Sequence, residues 1–195
     1  MTSLAIIGDT PLRREDARFT TGQGAYLDDL HFDGMVHAVV LRSPHAHARI
    51  DRIDAAAARA MPGVLAVLTG DDARADGLQP MRPTIEANVQ TGEPFAFAPQ
   101  PLLAIGKVRH LGEPIAVAVA ATRAQALDAA EHIVIDWTPL RAVTTSADAR
   151  APDAPQITEE VPGNVCMDWH WGDAAAVDAA FASAAHVVSQ PGWRG

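Results

Sequence analysis

Two histidines separated by one residue, His45 and His47, are the first side chains whose types and spacing could do chemistry. On a strand, residues two apart point to the same side, so the pair could bind one metal ion. A zinc site needs three or four ligands, and no cluster of Cys, His or Glu stands at a matching distance. A His-dependent metal hydrolase is therefore the weakest hypothesis, and we expect both histidines to be turn and edge residues that satisfy local hydrogen bonds.

The single cysteine, Cys166, is the second candidate. One thiol can form neither an internal disulfide nor a four-cysteine iron–sulfur site within this chain. No visible motif positions a His or Lys beside it, so a partly buried small residue is favoured over a reactive thiol, although His170 keeps the alternative open.

Two glycine motifs resemble phosphate-binding loops, but their spacing does not fit. Gly22-Gln23-Gly24 has Leu27 where a dinucleotide fingerprint needs glycine, and no strand precedes it. Gly106-Lys107 lacks the upstream glycine and the Ser or Thr of a P-loop. Neither motif predicts a phosphate site.

Composition excludes several classes of protein. The 195 residues are 48% hydrophobic, which is enough for one good core. A net charge of −9 with scattered Lys and Arg makes a nucleic-acid surface unfavourable. No apolar run approaches the roughly 18 residues of a membrane span. The first residues lack the basic start and long apolar core of a secretion signal, so we expect a soluble cytoplasmic protein.

The elements that position these residues are clearest between residues 107 and 140. An apolar run, 115–121, predicts a strand buried on both faces. Thr122 and Gln125 form a capping-box pattern at the start of a helix that extends to His132, and residues 133–137 predict a returning strand. The apolar stripe of this helix is predicted to be Ala126, Leu127, Ala130 and Ile133.

Earlier segments predict a second helix and more strands. Strands are predicted at 35–41, near 50–54 and at 64–69, and a helix is predicted at 55–61. Asp54 should cap that helix and Pro62-Gly63 should end it, while Asp71-Asp72 should cap a short helical turn. We therefore predict an α+β fold, a mixed sheet with two packed helices, and not a doubly wound nucleotide fold.

Irregular segments flank and interrupt this unit. Residues 1–30 predict an extended N-terminal arm, and 77–101 a long proline-rich loop in which Phe95 and Phe97 are slightly favoured as covered side chains over partner-facing ones. Residues 142–157 are rich in Ala, Thr, Asp and Pro, a composition that buries little and suits a linker. A helix is predicted from Ala174 to Ala185, capped by Asp173, with Val177, Phe181 and Ala184 on one face.

Several phrases of the sequence resemble one enzyme family. They are Val108-Arg-His-Leu-Gly-Glu-Pro-Ile-Ala, Arg42-Ser-Pro-His-Ala-His-Ala-Arg-Ile, Ala60-Met-Pro-Gly-Val, Val67-Leu-Thr-Gly-Asp-Asp and Asp136-Trp-Thr-Pro-Leu. Together with matches in the arm and around Asn164 and Gly172-Asp173, they resemble the N-terminal α/β hammerhead domain of molybdenum hydroxylase large subunits. These enzymes are xanthine dehydrogenase, aldehyde oxidase and aerobic carbon monoxide dehydrogenase. The resemblance extends to about residue 188.

The resemblance implies a division of the chain and a parent chemistry. It implies an arm at 1–30, the hammerhead domain at 31–143, a linker at 144–172 and the start of a truncated molybdenum-binding domain at 173–195. In the complete enzyme it implies hydroxylation with a water-derived oxygen. The implied cofactors are molybdopterin, as the cytosine dinucleotide, with 2Fe-2S and FAD on partner chains.

The residues that hold the pterin, contact molybdenum and supply a glutamate base in this family all lie beyond residue 188. We therefore assign no catalytic, cofactor-binding or metal-ligating residue to this chain. The last seven residues, from Ser189, look unlike the family, which favours a truncated or frame-shifted large subunit or a gene split in two.

Two further hypotheses stay open. In the first, the chain is a domain of an oxidoreductase, inactive alone, that docks on a molybdenum-binding chain alongside iron–sulfur and FAD subunits. That hypothesis predicts exposed apolar surface on the arm and on the helix from Ala174. In the second, the chain is a stand-alone module that binds a small molecule or a protein and has a closed surface. Neither identifies a substrate.

Overall fold

The computed structural model describes residues 13–88, 91–169 and 171–189, and within them the backbone forms six strands and six α-helices. The strands are β1 (His37–Arg42), β2 (Ala48–Asp54), β3 (Val64–Thr69), β4 (Lys107–Val108), β5 (Pro114–Ala120) and β6 (Val134–Pro139). The helices are α1 (Asp16–Thr20), α2 (Ala56–Arg59), α3 (Gly70–Ala75), α4 (Arg123–Glu131), α5 (Ser146–Ala149) and α6 (Ala174–Ser183), with 3₁₀ turns at Leu27–Asp29 and Pro162–Asn164. None of these helices is long and apolar enough to cross a membrane.

The strands form two separate antiparallel sheets, with orders β1-β5-β3 and β4-β2-β6. The predicted α+β class is confirmed, but the single mixed sheet is wrong. The connection between β1 and β2 moves the chain from the first sheet to the second. Helix α4 then delivers β6 to the edge of β2 rather than back beside β5. A parallel pair would have required β5 and β6 to stay in one sheet.

Helix α4 packs on the first sheet through alanines. Its buried side chains are Ala126, Ala129 and Ala130, and Ile133 just beyond it is also buried. The predicted place of Leu127 in this stripe is wrong, because its side chain is 37% exposed. Positions 126, 129, 130 and 133 follow helical spacing, and position 127 falls beside that row. Small side chains let the helix approach the alanines of β5 closely.

The core has two parts. One cluster lies between α2, α4 and the first sheet and consists largely of alanine. The other lies between the two sheets and contains Ala48, Ala104, Val108 and Ile115. Val108 and Ile115 are the largest fully buried side chains in the described part of the chain. The fold therefore depends on a few large residues and on close backbone approach.

Side-chain caps fix the helix starts. The Thr122–Gln125 capping box is confirmed, with Gln125 N–H donating to Thr122 Oγ1 at 3.2 Å and Thr122 N–H to Gln125 Oε1 at 3.2 Å. Asp54 accepts from the Ala56 N–H at 3.0 Å, as predicted. The predicted Asp71-Asp72 cap is wrong. Thr69, still in extended conformation at the end of β3, caps α3, and Asp72 completes that capping box.

The flanking segments are more ordered than predicted. The described part of the arm contains α1 and a 3₁₀ turn, so it is not simply extended; residues 1–12 lie outside the described residues. No residue of 142–157 is buried, which agrees with the expectation from its composition, whereas Thr158 and Val161, which follow it, are buried. The cap of α6 is confirmed, because Asp173 Oδ1 accepts from the Ala176 N–H at 3.0 Å. Val187 and Val188 are exposed and form no strand, and residues 190–195 are outside the described part.

Candidate functional site

The two histidines lie in the connection between β1 and β2, where each makes a different contact. The ring of His45 packs edge-on against Trp137, with centroids 5.1 Å apart. His47 is only 5% exposed, and its Nδ1 donates to the backbone oxygen of Arg141 at 2.7 Å. The expectation of purely local hydrogen bonds is wrong for His47, since Arg141 lies 94 positions away in sequence. His47 thus fastens the segment after β6 to the second sheet.

The serine before these histidines is also engaged structurally. Ser43 Oγ donates to the His45 oxygen at 2.7 Å and accepts from the His45 N–H at 3.0 Å, which forms a tight local turn. Across the described residues, no group of three or more His, Cys, Asp or Glu side chains gathers as a metal site. Residues 42–50 therefore have a structural role, because they connect the two sheets.

A cleft of about 560 Å³ lies beside His47, between the second sheet and residues 141–159. Its cations face carboxylates. Lys107 Nζ donates to Glu159 Oε1 at 2.6 Å, and Arg141 Nη1 donates to Asp153 Oδ2 at 2.9 Å. The hydrogen bond from Lys107 lowers the pKa of Glu159, and the hydrogen bond from Arg141 lowers that of Asp153. The Lys107–Glu159 pair ties residues 141–159 to β4, whereas the Arg141–Asp153 pair lies within that segment.

The glycine motifs occur in turns. Gly22 follows the short helix α1 with a φ of +71°, and its N–H donates to the Phe19 oxygen. Gly106, with a φ of +68°, accepts from the Ile50 N–H at 2.9 Å and leads into β4. Both positions use the freedom of glycine to reverse the chain. Neither immediately precedes a helix, where phosphate-binding loops place their glycines.

Cys166 is exposed, so the prediction of a partly buried residue is wrong. The neighbouring Trp169 makes the inward contact instead: its ring lies 6.1 Å from that of Phe95. Phe97 lies under the guanidinium of Arg82 at 5.6 Å. Both phenylalanines are half-buried, which agrees with the favoured interpretation of covered loop side chains. His170, the other half of the thiol hypothesis, lies outside the described residues.

The loop, together with Cys166 and Met167, lines a partly open apolar cavity of about 360 Å³. Its lining includes Met81, Ile85, Phe95, Phe97 and Met167. In the described part of the loop, isolated backbone bridges join Met81 to Gln100 and Ala87 to Pro94. The predicted irregular excursion is thus observed as a loop that folds over its own side chains.

Large apolar side chains are exposed on the arm and on α6, as the docking hypothesis predicts. On the arm they are Phe19, Tyr26, Leu27 and Leu30, with Phe32 just beyond it; on α6 they are Val177 and Phe181. Helix α6 has no buried residue at all. Contiguous exposed apolar surface usually marks an interaction site. We therefore expect the functional surface of this chain to include these exposed apolar side chains.

Comparison with known proteins agrees with this architecture. A family model described as aldehyde oxidase and xanthine dehydrogenase, a/b hammerhead domain, matches residues 21–141, which include all six strands described above. The chain belongs to this hammerhead family. The resemblance stated from the sequence is thereby confirmed.

Relatives of this hammerhead chain are large subunits of oxidoreductases. It is 38% identical to the carbon monoxide dehydrogenase large chain of Hydrogenophaga pseudoflava, over 96% of this chain and 24% of the relative. It is 40% identical to the nicotine 6-hydroxylase large subunit of Paenarthrobacter nicotinovorans, over 94% of this chain and 22% of the relative. A solved carbon monoxide dehydrogenase from Oligotropha carboxidovorans matches with a TM-score of 0.74 and 35% identity, over 92% of this chain and 22% of that one. The chain thus spans about a quarter of the length of these relatives.

Sequence reasoning missed one surface of the hammerhead fold. The face of the β1-β5-β3 sheet that turns away from α4 presents only apolar side chains at its centre. Because β3 and β5 are apolar on both sides, their sequences show no alternation that would distinguish an outer face. The register of the strands is needed to see which residues share it.

Proposed function

We propose that this chain is the N-terminal, non-catalytic part of a molybdenum hydroxylase large subunit, and that it works by docking on the molybdenum-binding remainder of that subunit. The observation that supports this most directly is the exposed apolar surface of the arm and of α6 in a chain of the hammerhead family. A partner that covers both would remove these side chains from water.

Helix α6 is the element that shows most clearly why the chain needs a partner. It has ten residues, most of them apolar, and none is buried. Isolated helices shorter than about 12–15 residues are marginal in water, because helix nucleation is unfavourable and is normally compensated by packing. The Asp173 cap contributes only about 1 kcal/mol. Packing of Val177 and Phe181 against another domain would supply the rest.

The complete enzyme of this proposal would contain molybdopterin, as the cytosine dinucleotide, and would pass electrons to 2Fe-2S and FAD on partner chains. The charged side chains of the cleft beside His47 are a poor match for the pterin cofactor. In the cleft beside His47, Lys107 and Arg141 already face carboxylates of this chain, which leaves them poorly suited to a pyrophosphate. We therefore assign no reaction step to this chain and give it a role in assembly.

The test begins with the coding sequence beyond codon 188, read in all three frames. If a molybdenum-binding region follows, it is expressed together with this chain, which bears an affinity tag. The expected result is that the two polypeptides co-purify with bound molybdenum, whereas the tagged chain alone binds an apolar fluorescent dye. A chain that is a dye-silent monomer and retains no co-expressed partner contradicts the proposal.

One observation favours a second function, that of a stand-alone binding module. The apolar cavity of about 360 Å³ under the 77–101 loop is of the size that accommodates small ligands. A thermal-shift screen of small apolar compounds tests this idea. If the cavity binds a compound, that compound should raise the unfolding temperature of the chain. The increase should be lost in a Phe97→Ala variant and kept in a variant of the exposed Leu65. No stabilisation by any compound counts against the module.

A further inference from the structure

The first sheet has one face covered by α2 and α4. Its other face is covered by the core between the sheets at Ile115 and is partly open beyond that residue, and we call this the open face. On the covered face, Val39, Leu41 and Val67 pack with the alanines of β5 beneath α2 and α4. Because side chains alternate along a strand, the residues between them point to the other face. The register places Val40, Val117 and Leu68 in one row across the three strands. The next row is Ala38, Val119 and Ala66.

All six residues of the open face are apolar, and Val40 and Leu68 are 38% and 43% exposed. An antiparallel sheet with one face in water normally alternates apolar and polar residues. This one does not, so its composition is that of a sheet covered on both sides. At one end the face continues into a groove of about 320 Å³, lined in part by Leu78, Leu102 and Leu103, with Arg42, Asp72 and Asp76 at its margin.

Size argues against a self-dimer that is held together by this face alone. Three strands about 4.8 Å apart and six residues long give a face of about 280 Å². A stable interface buries about 800 Å² on each partner. The open face alone is too small for a stable self-dimer. A partner must also cover other surface, and the exposed arm and α6 are available for it.

Composition argues against an exchangeable subunit. Permanent interfaces resemble a domain core cut in half, whereas transient ones are about as polar as the rest of the surface. The centre of this face contains no polar side chain. In the relatives, about three quarters of the chain lies outside the part that this chain matches, and it is covalently continuous with that part. A permanent partner of this kind fits the face best.

We propose that the open face of the β1-β5-β3 sheet is a docking surface for the molybdenum-binding remainder of the large subunit, with Val40, Val117 and Leu68 at its centre. This inference rests on the proposed function and adds to it the surface that docks. In the assembled subunit, both faces of the sheet are then buried.

The test uses the tagged chain co-expressed with the polypeptide encoded beyond codon 188. Val40→Glu and Leu68→Glu place a charge on the docking face, on strands at the edge of the sheet where the isolated chain leaves them exposed. Val134→Glu is the matched control, since Val134 is a 58% exposed strand residue of the other sheet. Burying an unpaired charge is costly, so we expect co-purification to fall by about tenfold or more in the two face variants and to stay within about twofold in the control.

Thermal unfolding of the isolated variants shows whether they fold. If a face variant does not fold, hydroxyl-radical labelling of the unaltered chain decides: Leu68 and Val40 should be labelled when the chain is alone and protected in the complex. Equal labelling in both states, or full retention by folded face variants, overturns this inference and leaves the proposed function intact. If the unaltered chain retains no partner, both are overturned. If the chain alone forms a dimer and Val40→Glu dissociates it, the occupant of the open face is a second copy of this chain. That result overturns the inference that the molybdenum-binding remainder docks there.

Discussion

Ile115 should contribute more to stability than any other single side chain in the core between the sheets. It is fully buried in a cluster with Ala48, Ala104 and Val108, which lie on or beside strands. Partly buried Ile50, Ile53, Ile135 and Trp137 pack against this cluster. Hydrogen-bonded strands cannot move inward far enough to fill a void. Truncation of Ile115 should therefore leave a cavity that the structure does not relax into.

The magnitude follows from the atoms removed. Ile115→Val deletes one carbon and should lower the free energy of unfolding by about 1 kcal/mol. Ile115→Ala deletes three carbons, worth about 2.4 kcal/mol in transfer energy at about 0.8 kcal/mol each, and the unfilled cavity should bring the loss to about 3.5 kcal/mol. For a protein whose total stability is on the order of 5–15 kcal/mol, that is a large fraction.

Urea unfolding followed by circular dichroism measures both variants against the unaltered chain. Val134→Ala, on an exposed position of β6, is the control and should cost less than about 1 kcal/mol. A loss for Ile115→Ala below about 1.5 kcal/mol, or no larger than that of the control, would refute the packing between the sheets described above.

Three other substitutions test separate contacts. Gly70→Ala would place a Cβ 2.6 Å from Ile105 Cγ1 and 2.7 Å from the Ala104 oxygen, so thermal unfolding should show a loss of about 1–3 kcal/mol, and an unchanged midpoint contradicts that close approach. The hydrogen bond from the Thr69 hydroxyl lowers the pKa of Asp72, so the ionised Asp72 stabilises the folded state above the unfolded pKa near 3.8, and this stabilisation is lost as the pH falls through the lower folded pKa. The free energy of unfolding should therefore depend less on pH between pH 5 and 2 in Asp72→Asn than in the unaltered chain. Equal pH dependence in the two proteins contradicts this role of Asp72. Asn164→Gly keeps the positive φ of 58° but removes the side-chain bonds to the backbone of residues 149, 155 and 157, so limited proteolysis within 144–165 should accelerate by on the order of tenfold; an unchanged cleavage rate shows that other contacts hold this segment.

Local structure was predictable because its causes are local. The bounds of β3 and the Thr122–Gln125 capping box depend on residues within a few positions of one another, and both match. The cap of α3 was assigned to Asp71-Asp72 instead of Thr69, because a threonine that ends a strand and caps the next helix serves both elements. Such shared residues are ambiguous from spacing alone.

Long-range structure was not predictable in the same way. The separation into two sheets depends on β6 pairing with β2, and nothing local to Val134–Pro139 chooses between that partner and β5. His47 was expected to bond locally, yet its partner is the backbone of Arg141. Backbone carbonyls have no signature in sequence. These contacts are consequences of the fold and could not have been used to derive it.

The strand β5 shows how a sequence can describe a partner that its own chain does not supply. Its continuous apolar run predicted burial on both faces, and α4 covers one of them. On the other face, Ile115 is buried in the core between the sheets, whereas Val117 and Val119 are half-buried and their neighbours Val40 and Leu68 are exposed. A sheet that had evolved to face water would place polar residues there. The apolar sequence of β5 thus predicts more burial than this chain provides. This difference is physical evidence that another surface packs against the sheet, and that surface should bind at the open face.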